Sequence, residues 1–159
     1  MLRRLYHRFF DRTLRRAATL PDRTEIGPGA WNQLIGKTGE DLAARYLSAA
    51  GYRILRRNFR APGGGEVDLV TARGQTLAFT EVKTRTKRPR DSSYGRAALA
   101  VTSGKQTLIA KGGVHWLRLL RKKDTPFRFD IVEVILIDGE LPEITHLQDA
   151  FGMPDSVKR

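Results

Sequence analysis

The sequence predicts one α/β domain, a mixed β-sheet flanked by helices with the element order αβββαβ. A long segment with helical spacing of its apolar residues comes first, and three short segments of alternating apolar and polar residues follow it. A second helical segment and a further alternating segment complete this order. With 159 residues the chain is long enough for one domain with its own hydrophobic core.

The first helix of the domain is predicted at residues 32–50, with Asn32 as its N-cap and Gly51 just past its end. One helical face combines small and apolar residues with a single acid: Gly36, Glu40, Ala43 and Leu47. A surface position is the usual one for a glutamate. These neighbours nevertheless favour an orientation of Glu40 toward the sheet.

Three strands are predicted next, at residues 52–60, 66–72 and 76–84, and a hairpin turn joins the second to the third. Because side chains alternate along a strand, charged residues continue the apolar rows of the last two strands. These rows are Glu66, Asp68 and Val70, and then Leu77, Phe79, Glu81 and Lys83. Buried charges need partners because their desolvation is costly, so these residues indicate either a solvated sheet edge or a site.

The remaining elements follow a basic run. A short helical turn and then a longer helix are predicted, with Ser103 as the N-cap of the longer one. The pair Gly112-Gly113 is expected to weaken that helix locally. Residues 127–139 alternate as a strand does, and residues 143–151 predict an edge strand.

The charge balance is strongly basic, with 29 Lys plus Arg against 17 Asp plus Glu and a net charge of +12. Basic residues cluster at 53–60, 83–90 and 118–123. This pattern favours a polyanionic partner, nucleic acid ahead of anionic lipid, over the alternative of a solvated basic surface. The predicted nucleic-acid contacts are Arg60, Arg85, Lys87, Arg88, Lys105 and Gln106.

The sequence contains no cysteine, which excludes a disulfide framework and a thiolate zinc site. This absence fits a reducing compartment, and we expect a cytoplasmic protein. The three histidines are far apart in the sequence, so a nitrogen-ligated transition metal is not expected. Carboxylates alone suffice for a hard cation such as Mg²⁺.

Residues 1–20 predict a basic amphipathic helix, in which arginines alternate with apolar residues at helical spacing. Such helices contact a membrane surface, a nucleic acid or a protein partner, although a helix docked on its own domain is an equal alternative. Pro and Gly residues then predict a linker, so the helix and linker together occupy residues 1–30. The domain is predicted at residues 31–152, and a C-terminal tail at residues 153–159. No run of eighteen apolar residues is present, and we expect no membrane-spanning segment.

A metal site is predicted where Asp68 and the tripeptide Glu81-Val82-Lys83 meet, if their strands are hairpin neighbours. Two carboxylates, the Val82 carbonyl and waters would suit Mg²⁺ or Mn²⁺, which lowers the pKa of bound water and stabilises a phosphoryl transition state. Lys83 could orient the attacking water or neutralise the phosphate, and Glu40 could bind the metal through water. Glu-x-Lys alone is a weak signal, and the preceding Asp and Glu strengthen it.

Six segments carry a resemblance to a known family: GEDLAARYL, GYRILRRNFR, GEVDLV, FTEVKTR, AVTSGKQ and RFDIVEV. In order and spacing they closely resemble the YraN family of bacterial proteins, which is similar to the PD-(D/E)XK nucleases and particularly to archaeal Holliday-junction resolvases. The resemblance implies a restriction-endonuclease-like fold. It maps the metal-binding acids onto Asp68 and Glu81, the lysine onto Lys83 and the helix-borne acid onto Glu40. Val67 stands where the superfamily motif has proline, and Thr80 replaces a usually apolar residue.

The leading interpretation is a Mg²⁺- or Mn²⁺-dependent endonuclease that hydrolyses phosphodiester bonds in DNA, with branched DNA as a candidate substrate. Its catalytic residues would be Glu40, Asp68, Glu81 and Lys83, and its metal ligands Asp68, Glu81, Val82 and Glu40. The alternative is a non-catalytic nucleic-acid-binding module with a nuclease-like fold. The intact quartet favours the enzyme, DNA is favoured over RNA, and a homodimer is left open.

Overall fold

The structure, a computed structural model, describes residues 5–6, 20, 24–87, 101–121 and 124–158. Within these residues the helices are α1 (Pro28–Ala49) and α2 (Ser103–Leu120). The strands are β1 (Leu5–Tyr6), β2 (Arg53–Ala61), β3 (Gly65–Arg73), β4 (Thr76–Lys87), β5 (Phe127–Ile137) and β6 (Glu143–Phe151), and a 3₁₀ turn follows (Asp155–Val157). Arg88 and the short helical turn predicted before α2 lie outside the described residues.

The strands form one six-stranded sheet in the order β1-β6-β5-β4-β3-β2. Strands β4 and β5 are parallel, while every other neighbouring pair is antiparallel. The connection between β4 and β5 contains α2, as a parallel pair requires. The predicted αβββαβ order and mixed sheet are therefore confirmed, and they are compatible with a restriction-endonuclease-like fold.

Each helix covers one face of the sheet and buries a separate hydrophobic core. The α1-side core includes Leu42, Leu47, Leu69, Val132 and Val134. The α2-side core includes Val67, Phe79, Ile109, Phe129 and Ile131. Strands β3, β4 and β5 are thus buried on both faces, and polar side chains on them need partners within the protein.

The predicted N-caps of both helices are wrong by a few residues. Helix α1 begins at Pro28 with Gly27 as its N-cap, rather than at Asn32. Proline suits the first helical turn because its fixed φ is helical and the N–H it lacks would be unpaired there. In α2 the cap is Thr102 rather than Ser103, and the Thr102 hydroxyl accepts from the N–H of Lys105 at 3.4 Å.

The two glycines in α2 allow a close approach to the sheet, and the helix continues through them. A Cβ at Gly112 would lie 2.8 Å from Cγ2 of Val67, and one at Gly113 would lie 2.8 Å from Cδ2 of Phe79. On the strand side, a Cβ at Gly65 would overlap the backbone of α2. Side chains at these positions would push α2 away from β3 and β4.

Of the predicted amphipathic helix, the structure describes Leu5, Tyr6 and Leu20. Leu5 and Tyr6 form β1, which pairs antiparallel with β6, so the helix prediction is wrong at these two residues. The outer edge of β6 offers unpaired backbone groups, and strand pairing there satisfies them. The rest of that segment lies outside the described residues.

Residues beyond both ends of the predicted domain also pack against its cores. Leu20 packs against the α1-side core, and Met153 and Val157 of the predicted tail pack against the α2-side core. Among the described residues, neither helix is long and apolar enough to cross a membrane.

Candidate metal and phosphate site

Asp68 lies where β3 and β4 separate. The ladder between these strands ends at the pair Leu69 and Thr80. Asp68 precedes Leu69 on β3, and its Oδ2 accepts a hydrogen bond from the backbone N–H of Val82 at 2.8 Å. The side chain of Asp68 thus satisfies a backbone donor of β4, and this bond fixes the carboxylate beside Glu81.

Glu81 is the second carboxylate of the site and only 8% of its surface is exposed. The Asp68 and Glu81 side chains are close enough to share a hydrogen bond. Burial, and then the charge of Asp68, raise the pKa of Glu81 to about 7. Burial also raises the pKa of Asp68, against the hydrogen bond from Val82. The pair therefore retains a proton close to neutral pH.

Lys105 of α2 contacts this pair from the face of the sheet that α2 covers. Its ammonium donates a hydrogen bond to Oε1 of Glu66 and lies 3.3 Å from Oε2 of Glu81. The hydrogen bond from Lys105 lowers the pKa of Glu66 below its ordinary value. Burial opposes the charge of Lys105, yet Glu66, Glu81 and Asp68 raise its pKa overall. Glu66 was predicted to share the row of Asp68, but no role in the site was predicted for it.

The donor set fits a hard divalent cation. Oε2 of Glu81 is buried and makes no hydrogen bond with any described residue, and a bound cation would satisfy it. The neighbouring Asp68 supplies a second carboxylate, and carboxylate oxygens are what Mg²⁺ and Mn²⁺ prefer. Because the N–H and C=O of one strand residue point to the same edge, the Val82 carbonyl also faces β3. Asp68, Glu81 and the Val82 carbonyl are thus the candidate ligands.

Glu40 is held elsewhere. Its Oε2 accepts a hydrogen bond from Nδ2 of Asn58 on β2 at 3.0 Å, and the adjacent Asp41 pairs with Arg57. Within the described ranges, no group of three His, Cys, Asp or Glu residues is placed to hold a metal ion. The structure therefore brings Asp68 and Glu81 together without Glu40, and a role of Glu40 through water stays a prediction.

Lys83 follows Glu81 in the same row of β4, opposite Glu133 of β5. Burial, and next the charge of Arg85, lower the pKa of Lys83. Glu133 is itself buried, its pKa is raised by that burial, and its Oε1 lies 3.4 Å from Nε of Arg85. Lys83 is thus a partly buried ammonium between two acids, with Glu133 as a neighbour that the sequence did not indicate.

The predicted nucleic-acid contacts have different surroundings. Arg60 lies on the outer strand β2 opposite Glu66, and its charge helps to lower the pKa of Glu66. The β2 arginines are exposed: Arg53, Arg56, Arg57 and Arg60. Lys87, at the end of β4, is half-buried, and Gln106 donates to the Val101 carbonyl at 3.0 Å. A basic strand thus lies next to β3, the strand that carries Asp68 and Glu66.

A second group of charged side chains lies on the face of the sheet that α1 covers, and its acid Asp130 is buried more completely than Glu81. Asp130 accepts hydrogen bonds from Nε of Arg128 at 2.8 Å, Nε2 of His146 at 2.8 Å and the Asp149 N–H at 2.9 Å. Burial opposes its charge, but these hydrogen bonds hold the pKa of Asp130 below its ordinary value. Arg128 also donates to the Tyr52 hydroxyl at 2.6 Å. Because its acceptors are satisfied and buried, this group stabilises the fold and is not a cation site.

Comparison with known proteins gives consistent matches over most of the chain. The model of a family described as "Uncharacterised protein family UPF0102" matches residues 39–134. A UPF0102 protein of Trichlorobacter lovleyi is 47% identical over 129 residues, which cover 80% of this chain and 96% of the relative. One of Geobacter sulfurreducens is 44% identical over 129 residues (80% and 97%). One of Rhodococcus opacus is 47% identical over 122 residues (77% and 99%).

Proposed function

We propose that this chain, which belongs to the UPF0102 family, binds nucleic acid and hydrolyses its phosphodiester bonds with a divalent metal ion held by Asp68 and Glu81. The observation that carries this proposal is the adjacent carboxylate pair, in which Glu81 is buried and Asp68 is half-buried. One of its oxygens, Oε2 of Glu81, accepts no hydrogen bond within the described part of the chain. Two adjacent acids, one of them buried, are costly unless a cation neutralises them, and the ammonium of Lys105, 3.3 Å from this oxygen, forms an ion pair with it but no hydrogen bond.

The roles of the side chains follow from their positions. A bound Mg²⁺ or Mn²⁺ would supply Lewis-acid chemistry and lower the pKa of a water ligand. The hydrogen bond from Val82 holds the Asp68 carboxylate in place, so its position does not depend on the metal. Lys83, two residues beyond Glu81 in the same row, is placed to orient a water or to neutralise charge on a phosphate.

The basic strand β2 supports a nucleic-acid substrate. This strand pairs with β3, the strand of Asp68, and its exposed Arg60 lies opposite Glu66. Guanidinium groups bind phosphates in a bidentate manner, and such contacts do not depend on base sequence. DNA ahead of RNA, and branched DNA as the preferred structure, remain proposals that derive from the family resemblance.

A non-catalytic nucleic-acid-binding module is the second candidate. One observation favours it: Glu40, the third acid of the predicted quartet, is bonded to Asn58 rather than grouped with Asp68 and Glu81. A pair of acids without the third could bind metal weakly or not at all. The two candidates therefore differ in whether the pair binds a divalent cation.

Titration of the metal-free protein with Mn²⁺ in a calorimeter separates these candidates. Wild type should bind about one equivalent, and Asp68→Asn should weaken binding at least about tenfold, because it removes a charged ligand. Asp138→Asn is the matched control, since Asp138 is exposed in a turn. If the wild-type isotherm is flat, or if Asp68→Asn and Asp138→Asn bind alike, the metal site is refuted.

The nucleic-acid interaction has its own test. We expect affinity for short DNA duplexes to be independent of sequence and to fall steeply between about 50 and 200 mM salt, because counterions are released. Fluorescence anisotropy measures this dependence. An affinity that does not change with salt would refute a contact through phosphates.

A further inference from the structure

Three carboxylates surround one ammonium at this end of the sheet. Lys105 donates a hydrogen bond to Glu66, and its Nζ lies 3.3 Å from Oε2 of Glu81. The charge of Asp68 also acts on it. The oxygen of Glu81 that faces Lys105 is the buried one without a hydrogen bond. Among the described residues, the ammonium of Lys105 therefore stands next to the candidate metal ligands and partly neutralises them.

The backbone of Lys105 is held in place, whereas the end of its side chain can move. Helix α2 lies close to β3 and β4 because Gly112 and Gly113 carry no side chain. The backbone N–H of Lys105 is held by the Thr102 cap. Its side chain has four rotatable methylene groups and is 26% exposed, so the ammonium can leave Glu81 without a movement of the helix.

We propose that Lys105 is a built-in counter-cation of the acid site, which a divalent cation displaces from Glu81 and which then contacts a phosphate of the bound nucleic acid. This inference rests on the proposed function. A divalent cation between Asp68 and Glu81 would stand next to the ammonium, and their like charges repel. Glu66, the acceptor of Lys105, has a side chain that is 41% exposed and lies opposite Arg60 of β2, and on this side the displaced ammonium would meet a phosphate.

Two other possible roles of Lys105 lead to different predictions for metal binding. If its ammonium only holds Glu81 in place for the metal, its removal weakens metal binding. If it only forms an ion pair that stabilises the fold, its removal leaves metal binding unchanged. Displacement alone requires that the metal bind more tightly when the ammonium is removed.

The first experiment is Mn²⁺ calorimetry at pH 8.5, above the pKa of about 7 of Glu81, so that competition from the proton on Glu81 is small. Lys105→Met keeps most of the aliphatic stem and should bind Mn²⁺ about fivefold more tightly than wild type, the effect of one partly exposed ion pair. Lys105→Arg retains the charge and should remain within about twofold of wild type. Lys111→Met, an exposed lysine of the same helix, is the control for a general loss of charge.

The second experiment measures affinity for a short DNA duplex with and without Ca²⁺, an oxygen-binding cation. Without Ca²⁺, Lys105→Met should change DNA affinity no more than Lys111→Met does, because Glu66 and Glu81 already neutralise Lys105. With Ca²⁺, Lys105→Met should lose at least about threefold more than Lys111→Met. This difference is the coupling between the cation and the phosphate contact.

The outcomes distinguish the inference from the function on which it rests. If wild type binds Mn²⁺ through Asp68 and Lys105→Met binds it equally or more weakly, the counter-cation role is refuted and the metal site stands. If the effect of Lys105→Met on DNA affinity is the same with and without Ca²⁺, the transfer to phosphate is refuted. If wild type shows no Asp68-dependent Mn²⁺ binding, both proposals fail.

Discussion

Replacement of Glu81 by Gln should stabilise the metal-free protein at pH 8 and much less at pH 5. The pKa of Glu81 is raised from 4.5 to about 7, first by burial and then by Asp68. A carboxyl group with a raised pKa binds its proton more tightly in the folded than in the unfolded chain. Its contribution is therefore complete below pH 4.5 and is lost as the pH rises through about 7.

The size of the effect follows from the same values. The difference between 4.5 and about 7 corresponds to roughly 3 kcal/mol of unfolding free energy. Asp68 shares the proton and solvent screens part of the site, so we expect about 2 kcal/mol. Glutamine resembles the protonated acid in shape and cannot ionise. The variant should thus exceed the stability of wild type by about 2 kcal/mol at pH 8 and by less than about 1 kcal/mol at pH 5.

Urea unfolding in the presence of a chelator, followed by circular dichroism at both pH values, measures this difference. Glu140→Gln is the matched control, because Glu140 is exposed in the turn after β5 and should show no such change with pH. If the stability difference between Glu81→Gln and wild type is the same at pH 5 and pH 8, Glu81 does not hold its proton as described.

Two further substitutions test the packing around the site. Gly39→Ala should destabilise the protein by about 1–3 kcal/mol, because the added Cβ would overlap the side chain of Thr84. Gly36→Ala should stabilise it by up to about 1 kcal/mol, because the added Cβ would have no atom within 4 Å and alanine favours the helix. Equal melting temperatures for the two variants would contradict the described contact between α1 and β4. Asp130→Asn should cost about 3–5 kcal/mol in urea unfolding, since it leaves the buried His146 and the half-buried Arg128 without their charged acceptor. A loss below about 1 kcal/mol would show that this group does not hold β5 and β6 together.

The row of Glu81 and Lys83 was predictable because β4 is regular, and period two then fixes which residues share a face. The pairing of Asp68 with Glu81 followed from the hairpin that joins their strands. The match to UPF0102 also confirms the predicted resemblance to the YraN family, because its segments lie within the matched residues 39–134. The first two features follow from the periodicity of the strands and from a short hairpin, so the local sequence was enough to predict them.

The contact of Lys105 with Glu66 was not predictable in this way. It joins residues 39 positions apart and depends on where α2 lies on the sheet. The signal was present in Gly112 and Gly113, which were interpreted as weakening the helix when they in fact mark its closest approach to the strands. A pair of glycines in a helix that faces a sheet is better interpreted as a packing contact.

Two other differences have local causes. Proline and glycine near residue 28 were interpreted as a linker, although proline is also favoured in the first helical turn, and here it begins α1. The helical wheel correctly predicted that Ala43 and Leu47 are buried, but Glu40 lies beside them near β2, where Asn58 donates to it. Asn58 has a positive φ of 50°, a conformation that periodicity does not reveal.

The central claim is that Asp68, Glu81 and Lys83 form a metal-dependent phosphodiesterase site. Its most direct test is incubation of the purified protein with Mn²⁺ and end-labelled linear, flapped and four-way-junction DNAs, followed by denaturing gel electrophoresis. Wild type should cleave at least one of these DNAs, and Asp68→Asn and Lys83→Ala should each be at least about a hundredfold slower. Lys83→Ala should retain Mn²⁺ binding, whereas Asp68→Asn should not. Binding of every DNA without cleavage by wild type, or equal cleavage by wild type and Asp68→Asn, would contradict the claim.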